Sequence, residues 1–160
     1  MEQINKESLS LGTFITSHFH KIMDKIIVWD LKAVSGQAMY RKHHRYAHLE
    51  IKMYKSEDNN NCVIYNFPTE NIHPQIDYKK GIKESLNFFL KLISVLKGPD
   101  IFLTFEINDA SYNNETGGSQ DYEWATLYTL YNCFDNDFPK YDKEYVERVK
   151  KDNLKSASNE

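Results

Sequence analysis

Apolar residues recur at spacings of three and four from Leu11 through Ile15, Phe19, Ile22 and Ile26. That stripe predicts an amphipathic helix over 8–27, with Ser8 or Ser10 to cap it. The stretch IIVWDLKAV, 26–34, reads as running on into a first strand, and Gly36 breaks the pattern. From 46 to 54, YAHLEIKMY alternates: Ala47, Leu49, Ile51 and Met53 face one way, His48, Glu50 and Lys52 the other. A half-buried strand has that period. After the turn cluster Asp58–Asn61, CVIYNF (62–67) reads as another strand, in antiparallel hairpin with 46–54, ended by Pro68. A helix follows over 74–97, with Ile82, Leu86, Phe89, Leu90, Ile93 and Leu96 on one face, Pro74 near its start and Gly98–Pro99 as its stop. IFLTFEI, 101–107, is a strand of strong β-formers. Within EINDASYNNETGGSQDYEW, 106–124, the connection between strand and helix is polar apart from Ala110 and Tyr112 and carries Gly117–Gly118, so a long soft loop is expected there. A helix over 120–134 buries Trp124, Leu127, Tyr128, Tyr131 and Phe134, with Ser119 as N-cap and Asp121 and Glu123 favouring its N-terminus. Beyond Pro139 a weaker helix is expected at about 142–152, with KSASNE frayed.

Strands 62–67 and 101–107 are joined through one long helix, which suits a crossover and a parallel pair. The predicted fold class is therefore α+β: a two-layer sandwich, with a mixed four-stranded sheet and helices on one face. A chain of 160 residues suits one domain and buries one sizeable core. The net charge of −3 argues against a generally basic nucleic-acid binder and leaves room for a local patch. Cys62 and Cys133, far apart, read as free buried thiols in a reducing, cytoplasmic compartment. The opening MEQINKESLSLG lacks a basic segment followed by an apolar one, so no export signal is expected. No apolar run approaches the roughly 18 residues that would cross a membrane.

Four stretches in order resemble domain IV of translation elongation factor G and its ribosomal-protection relatives. SGQAMYRK (35–42) resembles the G-x-P-x-V-x-Y-R-E segment through Gly36, Tyr40 and Arg41. YAHLEIKMY resembles the G-H-V-x-I-x-M-Y strand through His48, Ile51, Met53 and Tyr54. KKGIKESL (79–86) resembles K-G-I-x-E-A-L, and NDASYNN (108–114) resembles D-G-S-Y-H-D through Asp109, Ser111 and Tyr112. The resemblance covers roughly 28–135. It divides the chain into an N-terminal helix extension (1–27), a domain IV-like domain (28–138) and a C-terminal helix and tail (139–160). It implies a fold like ribosomal protein S5 domain 2, in which the loop after the 101–107 strand and the first hairpin loop meet at a tip that reaches ribosomal RNA. The chain departs from the family at that tip. Asn113 stands where the family has histidine, Glu115–Ser119 replaces D-x-S-S, and the Gly-rich first loop is shortened to Lys42–Arg45. No GxxxxGK[ST] is present and no glycine precedes a lysine, so no nucleotide cradle and no cofactor are expected.

In MYRKHHRYAHLEIKMYK, 39–55, Arg41, Lys42, Arg45, Lys52 and Lys55 are interleaved with Tyr40, Tyr46 and Tyr54 against the single carboxylate of Glu50. Such a stretch binds phosphates and stacks bases, or is simply a solvated strand face. Under the resemblance, Arg41, Lys42 and Arg45 would pair phosphates. His43, His44 and Tyr112 would stack on or hydrogen-bond bases, Asn113 and Asn114 would offer amides, and Asp109 and Ser111 would complete the tip. No metal site is expected. His44 and His48 lie about 13 Å apart along a strand, and His18 and His20 point to opposite sides of a helix. Asp109 with Ser111, or Asp121 with Glu123, shows no base–nucleophile spacing, so no catalytic residues are expected. Two functions remain. One is a non-enzymatic module whose partner is the ribosome or rRNA. The other is a protein-binding adaptor or inhibitor-like protein that keeps the fold without the ribosome, favoured by the acidic net charge, the altered tip and the added terminal helices. An enzyme is retained only by analogy with other hosts of this fold.

Overall fold

The computed structural model describes residues 18–158. The 8–17 part of the predicted first helix, its serine caps and the chain start lie outside the described residues. The elements are α1 (His20–Val28), β1 (Val34–Lys42), β2 (Arg45–Lys55), β3 (Cys62–Tyr65), a 3₁₀ turn (Thr69–Asn71), α2 (Tyr78–Lys97), β4 (Leu103–Tyr112), α3 (Ser119–Asn132) and α4 (Lys143–Ser158). The sheet order is β1-β2-β4-β3. β2 runs antiparallel to both β1 and β4, and β3 runs parallel to β4 across the α2 crossover. This is the α+β two-layer sandwich the sequence predicts, with α4 added on the face expected to be free of helices.

The expected 46–67 hairpin does not form. The first strand starts only at Val34, the last residue of 26–34, and it takes β2 as its partner through the two-residue turn His43–His44. Gly36, which reads as a breaker, lies inside β1. A Cβ there would sit 2.5 Å from the Thr129 carbonyl oxygen and 2.8 Å from the Cys133 nitrogen, so glycine is what lets α3 lie close on this strand. The other neighbour of β2 is β4, which leaves β3 on the far side of β4.

β4 runs to Tyr112, five residues beyond its predicted end. A bulge makes this possible. Glu50 faces Asp109, but the next residue, Ile51, faces Ile107, so Asn108 is extra. The alternation changes phase there. Phe105 and Ile107 before the bulge and Ala110 after it face the helices, while Asp109 and Ser111 face the other way. The expected long loop shrinks to residues 113–118.

One face of the sheet carries the main core. Leu49, Ile51, Met53, Leu103, Phe105 and Ile107 meet Ile22 and Ile26 of α1, and Ile82, Leu86, Phe89 and Ile93 of α2, all buried. Asp77 caps α2 by accepting from the Lys80 N–H at 3.3 Å, so Pro74 belongs to the preceding turn. Gly81 marks the α2–α3 crossing, because a Cβ there would lie 2.0 Å from the Ser119 carbonyl oxygen. α3 is enclosed on most sides. Leu127 and Tyr131 are buried as expected, but Trp124, Tyr128 and Phe134 are only half-buried, and Tyr122, Ala125 and Leu130 take their place in the core. The Thr126 and Thr129 hydroxyls donate to the carbonyls of Tyr122 (2.6 Å) and Ala125 (2.7 Å), which satisfies them inside the core. The cap position of α3 is Gly118, not Ser119. Cys133 is half-buried, but Cys62 is exposed, contrary to the expectation of two buried thiols.

α4 lies across the opposite face of the sheet. Val146 and Val149 pack on the buried Tyr46, flanked by Met39, Tyr141 and Tyr145. The helix extends through Ser158, so most of KSASNE is helical, not frayed. No helix among the described residues is long and apolar enough to cross a membrane.

Candidate functional site

The cationic turn early in the chain and the glycine-bearing loop late in the chain converge at one end of the sandwich. Asn113 Nδ2 donates to the His44 carbonyl oxygen at 3.1 Å, and the Thr116 hydroxyl donates to the Tyr46 carbonyl at 2.6 Å. The 113–118 loop is tied internally as well. The Asn113 N–H donates to Thr116 Oγ1 (3.0 Å) and the Glu115 N–H to Asn113 Oδ1 (2.9 Å). Its polar composition serves a compact, hydrogen-bonded turn.

The predicted tip residues divide into two groups. Arg41, Lys42, His43, His44 and Asn114 are exposed. His43 takes φ 59°, a left-handed conformation uncommon outside glycine and asparagine. Arg45 is not free for a phosphate. Its guanidinium lies 2.9 Å from Asp121, which is fully buried in the first turn of α3 and also accepts the Gly117 N–H at 2.7 Å. Asp121 therefore does more than favour a helix N-terminus: it neutralises a cation of the hairpin and fixes the loop beside it. Tyr40 and Tyr46 are buried and unavailable for stacking. Sequence reasoning missed Tyr145 and Arg148 of α4, which join the tip. The Arg41 guanidinium lies 4.3 Å from the centre of the Tyr145 ring and that of Arg148 lies 5.2 Å from it. No local pattern announces that contact, since it depends on which face of the sheet α4 covers.

Asp109 and Ser111 sit behind the tip, beneath α4, and not on it. Ser111 is buried, with its Oγ 2.6 Å from the Tyr46 hydroxyl and 3.1 Å from His48 Nδ1. His48 Nε2 lies 3.1 Å from the Tyr141 hydroxyl and 3.6 Å from Glu50 Oε1. Asp109 pairs with the Lys150 ammonium and accepts from Asn71 Nδ2 at 3.1 Å. Tyr112 is half-buried, 5.5 Å from the His73 ring, and its carbonyl accepts from Asn153 Nδ2 at 2.8 Å. The hydrogen bond from His48 holds the Glu50 carboxyl below its ordinary value, and burial pushes the phenol of Tyr46 up. The Cys133 thiol is pushed up to about 12 by burial, which leaves it inert.

Cross-strand pairing thus creates a serine–histidine–glutamate alignment that the linear spacing does not reveal. Its chemistry is closed to a substrate, because Ser111 is 1% exposed and Tyr46 and α4 roof it. What the alignment does is hold α4 to the sheet. His44 is exposed on the turn and takes no part in it. His18 stacks on Phe138 at 5.2 Å, whereas His20 is exposed, so that pair diverges as expected.

No protein-family model matches the sequence, and no curated protein matches it. A solved crystal structure of a protein from Thermus thermophilus resembles the chain with a TM-score of 0.53 at 18% identity. The match covers 66% of this chain and 16% of that one. At that identity the likeness concerns the fold, and it supports the mixed-sheet α+β sandwich described above.

Proposed function

We propose that the chain is a non-enzymatic, RNA-contacting module that meets ribosomal RNA through the end built from residues 41–46 and 113–118. The observation that carries this reading is the convergence of the two turns, sealed by the Asn113–His44 hydrogen bond of 3.1 Å. It leaves Arg41 and Lys42 as exposed cations beside the imidazoles of His43 and His44. Cations meet phosphates, and imidazoles and amides meet bases in unpaired RNA. Arg45, Asn113 and Asp121 shape the end without touching RNA. We place the protein in the cytoplasm, whose reducing conditions suit the free thiol of the exposed Cys62.

The test is co-sedimentation with purified ribosomes across a salt series. Binding is expected at low salt, falling steeply as salt rises, because phosphate contacts release counterions. Arg41→Ala with Lys42→Ala is expected to weaken it at least tenfold. Absence of wild-type binding, or equal binding by the double variant, overturns the reading. The outward face of α4 supports a second reading, a protein-binding adaptor. It carries Lys143, Arg148, Lys151 and Lys155 among Glu144, Glu147 and Asp152, with Leu154 68% exposed nearby. That mixture suits a protein surface better than a polyanion, and associations that survive RNase would favour it.

A further inference from the structure

A cost is built into the middle of the sheet. Glu50 and Asp109 are directly opposed cross-strand residues on the face beneath α4. Like charges in that position repel. The bulge at Asn108 sits beside them, and without its change of phase Asp109 would point into the apolar core. The side chain that joins them on this face is His48, which is fully buried.

We propose that His48, Glu50 and Asp109 form a binding site for one divalent transition-metal ion of the zinc class, with Lys150 as the internal cation that competes for it. One ligand atom from each of the three residues lies within 4.8 Å of the others. Ligands around a zinc-class ion at about 2.0–2.2 Å stand roughly 3.4 Å apart, so small rotamer adjustments close the set. One imidazole and two carboxylates match that class of ion. The imidazole is oriented as metal-binding histidines are. Ser111 Oγ lies 3.1 Å from Nδ1, and once the ion takes the place of the Nε2 proton that faces Glu50, a tautomer donating Nδ1–H to Ser111 presents the Nε2 lone pair to the metal. The Tyr141 hydroxyl, 3.1 Å from Nε2, stands at the fourth position. A cavity of about 340 Å³ lined by Glu50, Asn108 and Tyr141 gives the ion an entry path and room for water. Lys150 now neutralises Asp109 through its ammonium. Asp109 Oδ1 already accepts from Asn71 Nδ2 and the Ala110 N–H, so ammonium and metal compete for Oδ2, and metal binding there displaces Lys150 and loosens one of the ties that hold α4.

The site is tested on the full chain carrying Cys62→Ser, which removes the exposed thiol as an alternative ligand. Titration with Co²⁺, followed by its visible absorption and by Zn²⁺ displacement, is expected to show one ion per chain. Lys150→Met is expected to tighten binding about tenfold or more. Glu50→Gln and Asp109→Asn, each made in the Lys150→Met background and checked for folding by circular dichroism, are expected to weaken it about tenfold or more. If neither the Cys62→Ser chain nor its Lys150→Met derivative takes up one ion per chain, the site does not exist. Binding that survives both carboxamide substitutions would place the ion elsewhere and overturn the proposal equally.

Discussion

The two faces of the sheet are held by different physics. Against α1–α3 the contact is apolar and continuous, with Leu49, Ile51, Phe89 and Phe105 all at or below 1% exposure. Against α4 only Val146, Val149 and a few aromatic rings pack on Tyr46, and specific polar ties do the rest: Tyr141 to His48, Lys150 to Asp109, and Asn153 to the Tyr112 carbonyl. Apolar burial is non-directional and scales with area, whereas a buried polar tie is worth little net but is costly to leave half-made. The first face therefore carries the stability of the domain, and the second positions one helix.

This contrast is open to direct attack. The largest effect is expected from Phe89→Ala, which empties the centre of the apolar face. It should lower unfolding free energy by about 3–5 kcal/mol in chemical denaturation. On the other face, Tyr141→Phe removes one hydroxyl from His48 and should cost about 1 kcal/mol. Comparable losses for the two variants would dissolve the distinction.

The smallest effect concerns pH, and its sign separates two carboxyls. Glu50 is held below its ordinary 4.5 by the hydrogen bond from His48, then by charges that include Lys150. Its contribution is therefore fully present above that ordinary value and fades as pH falls through the lower folded value. Glu123, on α3, is shifted the other way, first by burial and then by Glu84. Its ionised form opposes folding, so the penalty grows as pH rises past the ordinary value. Thermal melts between about pH 3 and 6 should show a shallower acid loss for Glu50→Gln than for wild type. Glu123→Gln should gain stability at the upper end of that range.

Much of the apolar face was legible in the sequence, because its signals are local. The three-and-four spacing of Ile82, Leu86, Phe89 and Ile93 announces α2, and the alternation of Leu49, Ile51 and Met53 announces β2. Partnership was less legible. Nothing local says that 34–42 is a strand, since the physical reason for Gly36 is a helix 93 residues downstream in the chain, at Thr129. The bulge hid the end of β4, because EINDASY breaks the alternation that a reader of strands follows. At the site, the basic turn was visible, but not that Arg45 is spent on Asp121 or that α4 brings Arg148. Asp109, Ser111 and His48 were singled out through the resemblance, and the fold gathers all three beneath α4, away from the exposed end.

Asn108 sets the meaning of every residue between it and the end of β4. Were Asn108 instead drawn into the ladder opposite Glu50, with the pairing upstream preserved, Asp109 and Ser111 would rotate into the oily side, and Ala110 and Tyr112 would surface under the last helix. Leaving one residue out of the ladder thus acts as a phase switch between a strand that carries ionisable groups in the right place and one that could not fold with them.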